Sequence, residues 1–146
     1  MIKGIKIKPL DIINNNKGNI FHFIRNDDLD YKGFGECYFS EIYPQKIKGW
    51  KCHKLQTQNL IVPIGKVKFV LYDLRVGSKT KNKIQEVNLG LPDDFKRLTI
   101  PFGIWYSFKC ISTVKGLITN FTDLPHDSNE SETQDLLNNN IPFIWK

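Results

Sequence analysis

The feature that most limits how this chain can fold is the spacing of its short apolar runs. Ile2, Ile5 and Ile7 alternate with lysines, and Ile20-Phe21-His22-Phe23-Ile24 is brief and apolar. Gly35 to Ile42, Leu60-Ile61-Val62, Val67 to Tyr72, Ile84 to Leu89, Leu98-Thr99-Ile100, Trp105 to Phe108 and Leu117-Ile118-Thr119 follow. These runs are rich in β-branched and aromatic residues, the side chains that suit a pleated surface. Between them stand Asn16-Lys17-Gly18, Lys32-Gly33, Lys48-Gly49, Ile64-Gly65, Val76-Gly77, Pro92-Asp93-Asp94, Phe102-Gly103 and Lys115-Gly116. Turn chemistry therefore recurs about every ten residues, the spacing of a sandwich or barrel of short strands. Helical periodicity is nearly missing. A single short helix is expected near Glu130 to Leu137, capped by Asp127 or Ser128. The Lys79–Lys83 stretch and the Asn138-Asn139-Asn140 run read as loops, and Asp127–Asn140 as a whole is a polar tail segment. The fold expected is all-β, a jelly roll in a single domain over residues 1–146.

Composition removes several classes. At 146 residues with 12% aromatics, the chain is too apolar to stay disordered and long enough to bury a core. No apolar run approaches the roughly 18–20 residues a membrane helix needs, so no membrane partner is expected. Cys37, Cys52 and Cys110 are too few for a disulfide scaffold and suit a reducing compartment. The Ile/Lys alternation of Met1 to Leu10 is unlike a secretory signal, so a cytoplasmic location is expected. The net charge is +6, carried by eighteen lysines and three arginines. The lysines are scattered and the base-reading residue is scarce, which argues against nucleic acid. A mildly basic surface also suits a small phosphorylated ligand.

The informative stretch is Gly49-Trp50-Lys51-Cys52-His53-Lys54-Leu55-Gln56-Thr57-Gln58, followed after six intervening residues by Gly65. A second stretch, Pro101-Phe102-Gly103-Ile104-Trp105-Tyr106, lies further on. Residues two apart on a strand share a face, so Lys51 and His53 point together and Cys52 points away. The two stretches resemble the paired motifs of cupin-type double-stranded β-helices. In metal-binding cupins the positions of Lys51, His53, Gln58 and Tyr106 are His, His, Glu and His. Only His53 keeps a liganding type here, so no metal and no other cofactor is expected. What remains has the parts for proton abstraction beside a ketone. His53 is the natural base near neutral pH, Lys51 the charge that holds an enolate oxygen, and Tyr106 an acid acting from another side of the ring. Such a base also needs a carboxylate to orient it, and sequence does not say which one. The plainer reading of a lone histidine in a barrel is a buried, hydrogen-bonded core residue.

Further segments carry a closer likeness. Lys48 to Lys54, Val67 to Arg75 ending in Tyr-Asp-Leu-Arg, Gly77 to Thr80, Leu98 to Gly103, Thr122 to Asp127 and the closing Ile144-Trp145 resemble the dTDP-4-dehydrorhamnose 3,5-epimerase family. The likeness runs over about residues 14 to 145 and looks closest to short divergent members. The segment around Lys51 is also similar to sugar 3,4-ketoisomerases. The resemblance implies a metal-free jelly roll, a homodimer, and a nucleotide-linked 4-keto-6-deoxy sugar as substrate. It puts the family's base on His53. The family's lysine falls near Gln58, its opposite-face tyrosine near Thr119 and its early Arg-Gly pair on Lys17-Gly18.

Lys17, Trp50, Gln58, Arg75 and Trp105 are therefore candidates for substrate binding. For Trp50, Trp105, Tyr38 and Tyr72 the competing reading is core packing; for Arg75 it is pairing with Asp73 or Glu86. The expected function is a metal-independent epimerase or isomerase of a nucleotide-activated keto sugar, serving surface-polysaccharide assembly. The opposed reading is a non-catalytic cupin that binds a sugar or a protein partner.

Overall fold

The structure, a computed structural model, describes residues 1–137 and 139–146. Twelve strands follow one another: β1 (Lys6–Pro9), β2 (Ile12–Ile13), β3 (Ile20–Phe21), β4 (Glu36–Ile42), β5 (Ile47–His53) and β6 (Gln58–Ile64), then β7 (Lys66–Asp73), β8 (Ile84–Gly90), β9 (Lys96–Ile100), β10 (Ile104–Cys110), β11 (Gly116–Thr122) and β12 (Ser131–Thr133). Two five-stranded antiparallel sheets form, ordered β1-β9-β6-β11-β4 and β12-β5-β10-β7-β8, with β2 and β3 as a separate small hairpin. This is the jelly roll that the strand spacing predicts. Among the described residues there is no helix, and so none long and apolar enough to cross a membrane.

The helix expected at Glu130–Leu137 is absent. Asp127 does not start a helix; its carboxylate accepts from the Asn129 N–H in a local turn, at 2.8 Å. The chain then straightens into β12, whose Ser131, Glu132 and Thr133 pair with His53, Cys52 and Lys51. Pairing to an open sheet edge satisfies the backbone that a short isolated helix would have had to satisfy alone. The expected loop at Asn139-Asn140 is irregular chain, while Asn138 lies outside the described residues.

Alternation along the strands sets the core. Val67, Phe69 and Leu71 of β7, Ile104 of β10 and Leu60 and Val62 of β6 face inward between the sheets with Ile42, Leu98, Ile100 and Ile118. The second sheet is buried on its outer face as well. There Trp50, Val70, Tyr72 and Trp105 pack under the C-terminal segment, against Ile141, Phe143 and Trp145. A sheet covered on both sides reads as near-continuous apolar sequence, and β7 does. Beside the site, β5 carries a bulge. Lys51 pairs with Tyr106, but Lys48 pairs with Phe108, so β5 spends one residue more than β10 between these pairs. Gly49 occupies the bulge with φ 115°, and a Cβ there would stand 2.8 Å from the Tyr106 carbonyl oxygen. Only glycine fits both the conformation and the gap.

Candidate active site

Between the two sheets lies a cavity of about 320 Å³. One wall comes from the second sheet: Lys48 and Lys51 of β5, Phe69 of β7, Tyr106 and Phe108 of β10. The facing wall comes from the first sheet: Tyr38 and Ser40 of β4, Leu60 of β6, Ile118 and Asn120 of β11. Two lysines at one cavity suit an anionic ligand. The floor is apolar, and the few polar groups converge from both sides, as in sites for small organic ligands.

His53 stands at the end of β5, only 5% exposed, behind Tyr106. Its Nδ1 lies 2.6 Å from Glu130 Oε2, and its Nε2 lies 3.2 Å from the Tyr106 hydroxyl. The two rings stack at 6.0 Å with an interplanar angle of 11°. Glu130 is held in turn by the backbone N–H groups of Leu55, at 2.8 Å, and Gln56, at 2.7 Å, both donating to Oε1. Burial opposes the Glu130 charge. The two N–H donors and His53 outweigh it and hold the carboxyl below its ordinary range. A carboxylate accepts only, so Nδ1 donates to it, and Nε2 is left with the lone pair that accepts from Tyr106. For His53 itself, burial pushes the pKa down. Glu130 opposes that shift, and nearby Lys51 adds to it. The imidazole is thus neutral at pH 7 with a fixed tautomer. Burial pushes the Tyr106 phenol far above its ordinary value.

The structure brings Lys51, His53 and Tyr106 together on one wall. Lys51 is half-buried beside Tyr106. Gln58 lies in the opposite sheet, fully buried and engaged with Gln56 and Asn120 rather than lining the cavity. Trp50 borders the cavity, but its fully buried ring packs among the residues under the C-terminal segment, 6.3 Å from Phe143. Trp105 belongs to the same outer cluster. Arg75 is taken up by Asp73, with Nε and Nη2 each 2.9 Å from its carboxylate oxygens, and by the Lys3 carbonyl. Lys17 is exposed in the turn between β2 and β3. Neither Arg75 nor Lys17 lines this cavity. Cys52 faces away, as its parity predicts, with its thiol pushed up to about 11 by burial. Among the described residues no three His, Cys, Asp or Glu side chains cluster in a way that could hold a metal ion.

Glu130 was not visible from sequence. It lies 77 residues from His53, inside a segment that reads as a capped helix. Asn120 and Gln56, which join Gln58 in a buried amide chain, carry no sequence signal either.

No protein-family model matches the chain. It is similar to the dTDP sugar isomerase of Desulfovibrio desulfuricans G20, with 39% identity over 99% of this chain and 92% of that one and a TM-score of 0.96. It is 29% identical to the spore coat polysaccharide biosynthesis protein SpsL of Bacillus subtilis strain 168, over 99% of this chain and 97% of that protein. It also shares its fold with the dTDP-4-dehydrorhamnose 3,5-epimerase of Elizabethkingia anophelis NUHP1, at 17% identity and a TM-score of 0.82, over 99% of this chain and 82% of that one.

Proposed function

The chain belongs to the dTDP-4-dehydrorhamnose 3,5-epimerase-like family of sugar isomerases, and on that premise we propose that it acts on a nucleotide-activated 4-keto-6-deoxy sugar by removing a proton beside the ketone. The observation that carries this reading is the hydrogen-bonded line Glu130–His53–Tyr106, which ends at the cavity wall. His53 is the base. Tyr106 stands between it and the cavity, so its hydroxyl passes the proton. As the C–H bond breaks, the Tyr106 oxygen takes the carbon's proton while its own moves to Nε2. The C–H electron pair becomes the enolate, whose oxygen Lys51 holds. The two transfers are concerted, because burial in this wall disfavours a free Tyr106 phenolate. The Glu130 carboxylate stabilises the imidazolium that results.

Lys48 and Lys51 supply the positive field for a diphosphate-linked ligand. The likeness to the spore coat polysaccharide protein supports a place in polysaccharide assembly. A homodimer is part of the same proposal. The open edge of β4 carries Phe39 at 68% exposure and, just beyond it, Tyr43 at 64%, an apolar margin that a second copy would cover.

The test is solvent-isotope incorporation. The protein is incubated in heavy water with dTDP-linked 4-keto-6-deoxyglucose, and the ring protons are followed by NMR. Loss of signal at a carbon next to the ketone, abolished by His53→Asn, is the result expected. Stoichiometric binding without exchange on this and related keto sugars would favour the non-catalytic sugar-binding barrel and refute the reaction.

A further inference from the structure

A buried chain of amides leads from the connection between β5 and β6 into the first sheet and ends, at Asn120 and Tyr38, on the cavity wall opposite Tyr106, and its polarity is fixed from one end. Gln56 Nε2 donates to two backbone carbonyls, Leu124 at 2.8 Å and Pro125 at 2.9 Å. Carbonyls cannot donate, so this amide cannot be reversed. Its Oε1 therefore faces Gln58, whose Nε2 donates to it at 3.1 Å. That turns Gln58 Oε1 toward Asn120, which donates through Nδ2 at 2.5 Å. The second Nδ2 hydrogen of Asn120 goes to the Tyr38 hydroxyl oxygen at 2.8 Å. Both hydrogens of that amide are used, while its Oδ1 stays buried without a partner. An amide nitrogen accepts nothing, so Tyr38 is the acceptor in this contact. Its own hydrogen is left over, and no other described residue accepts it.

Tyr38 and Tyr106 line the same cavity from opposite sheets, β4 and β10. They are close enough for charge on Tyr38 to raise the pKa of Tyr106. Tyr38 is 37% exposed at this margin, whereas Asn120 is 2% exposed. A sugar ring between the walls thus has the His53–Tyr106 pair on one face and a phenol on the other.

We propose that Tyr38 is the proton donor for the face opposite His53, and that Gln56, Gln58 and Asn120 are positioning residues that keep its hydrogen free to be given to the substrate. The step is balanced within the enolate. The C=C electron pair takes the Tyr38 proton on the far face, the carbonyl reforms, and the transient phenolate is held by the Asn120 N–H until water returns a proton. Removal on one face and delivery on the other inverts the carbon. The arrangement therefore selects epimerisation over a same-face hydrogen shift. This assignment rests on the reaction proposed above and names a residue of that site.

Tyr38→Phe separates the two. It removes one oxygen from a partly exposed side chain and leaves the Asn120–Gln58 bond in place. The expected result is deuterium entry within about threefold of the wild-type rate, with formation of the inverted sugar falling at least a hundredfold. Equal inversion by variant and parent refutes the assignment. Loss of exchange together with inversion also refutes it, since Tyr38 would then serve binding or abstraction. A second measurement needs no turnover. The ultraviolet phenol titration that disappears in Tyr38→Phe is followed in Asn120→Leu, where removing the donated N–H raises that midpoint. An unmoved midpoint refutes the amide chain whether or not the protein exchanges any sugar. Absence of exchange in the parent, with the midpoint moving as expected, refutes the reaction and with it the donor role while leaving the chain's polarity standing.

Discussion

Replacing Glu130 by glutamine changes one atom and, by the geometry of its site, should invert the base. Glu130 Oε1 receives two backbone N–H groups, so the oxygen of a substituted amide stays there and its NH₂ group falls opposite His53 Nδ1. An NH₂ group only donates, and Nδ1 must then offer a lone pair. The ring proton moves to Nε2, where the proton-accepting lone pair had faced Tyr106. Tautomer reversal at a carboxylate–imidazole pair costs about 10⁴ in rate where it has been studied in hydrolytic triads. A loss of about 10³–10⁴ in deuterium entry is expected for Glu130→Gln, or roughly 4–5.5 kcal/mol of barrier at 1.36 kcal/mol per decade. The fold suffers far less. Two charge-assisted hydrogen bonds become neutral ones, a loss of about 1 kcal/mol each, partly offset because no carboxylate need be buried. A net cost of about 1–2 kcal/mol lowers Tm by roughly 2–8 °C for a chain this size. The assay is the NMR exchange experiment on protein whose melting curve confirms that it is folded. Exchange within threefold of the parent would refute the tautomer assignment and remove Glu130 from the mechanism.

Three further outcomes follow from the same structure. His53 must be neutral to act, and burial first, with Lys51, lowers its pKa against the pull of Glu130; the exchange rate should rise with pH through a midpoint below the ordinary imidazole value of about 6.5 and level off above it, whereas a midpoint above that value would contradict the burial. Lys51→Met should reduce exchange by about 10²–10³ with the melting curve nearly unchanged, since it removes charge from the enolate oxygen and among the described residues its ammonium makes no ion pair; unaltered exchange would take Lys51 out of the site. Asp73 is fully buried and accepts from Arg75, Ser78 and Thr80, which together hold its carboxyl well below the ordinary range despite burial, so Asp73→Asn should cost about 2–4 kcal/mol in urea unfolding. The parent's share of that stability is present above the unfolded carboxyl value near 4 and is lost as pH falls through the folded one, so a mutant that matches the parent at pH 7 would refute it.

Most of the architecture was legible because it depends on local pattern. Strands β4 and β6 to β11 coincide with runs of alternating or continuous β-branched and aromatic residues, and the glycines at 49 and 65 mark places where no side chain fits. β5 is the exception: the turn expected at Lys48-Gly49 is a bulge inside that strand, because Lys48 still pairs with Phe108 while Gly49 takes up the extra residue. The parity of Lys51, Cys52 and His53 followed from strand geometry alone. The misreading came at Glu130 to Leu137. Its polar composition and possible caps favour a helix in isolation, but the free edge of β5 was available and won. The same long-range event hides Glu130, since nothing local to it speaks of His53. Arg75 and Lys17 mark another limit of the sequence, where charge alone leaves two readings open. Their charge suggests phosphate, yet one is consumed by its neighbour Asp73 and the other stands in a distant exposed turn. The amide chain from Gln56 to Asn120 was illegible because its members sit on two strands and on the connection before one of them, and uncharged side chains give no signal until their partners are known.

The three-residue strand β12 gives the site a lifetime separate from that of the barrel. Glu130 immediately precedes it, and the pairing of Ser131, Glu132 and Thr133, flanked by the Trp50–Gln134 and Lys54–Glu130 backbone bonds, fastens it to β5, with Lys54 reaching the Asn129 carbonyl and Glu132 from its exposed side. Short edge segments fray at a fraction of the free energy of global unfolding. Each such excursion carries the carboxylate away from His53 and opens the imidazole to water, so the ring regains an ordinary affinity for protons and ceases to be a base. Catalytic competence is thus a matter of local occupancy: the fraction of molecules in which this edge is fastened. Amide exchange at Trp50, Lys54 and Gln134 would count those excursions directly, and activity should fade on warming along that curve, ahead of the melting of the sheets.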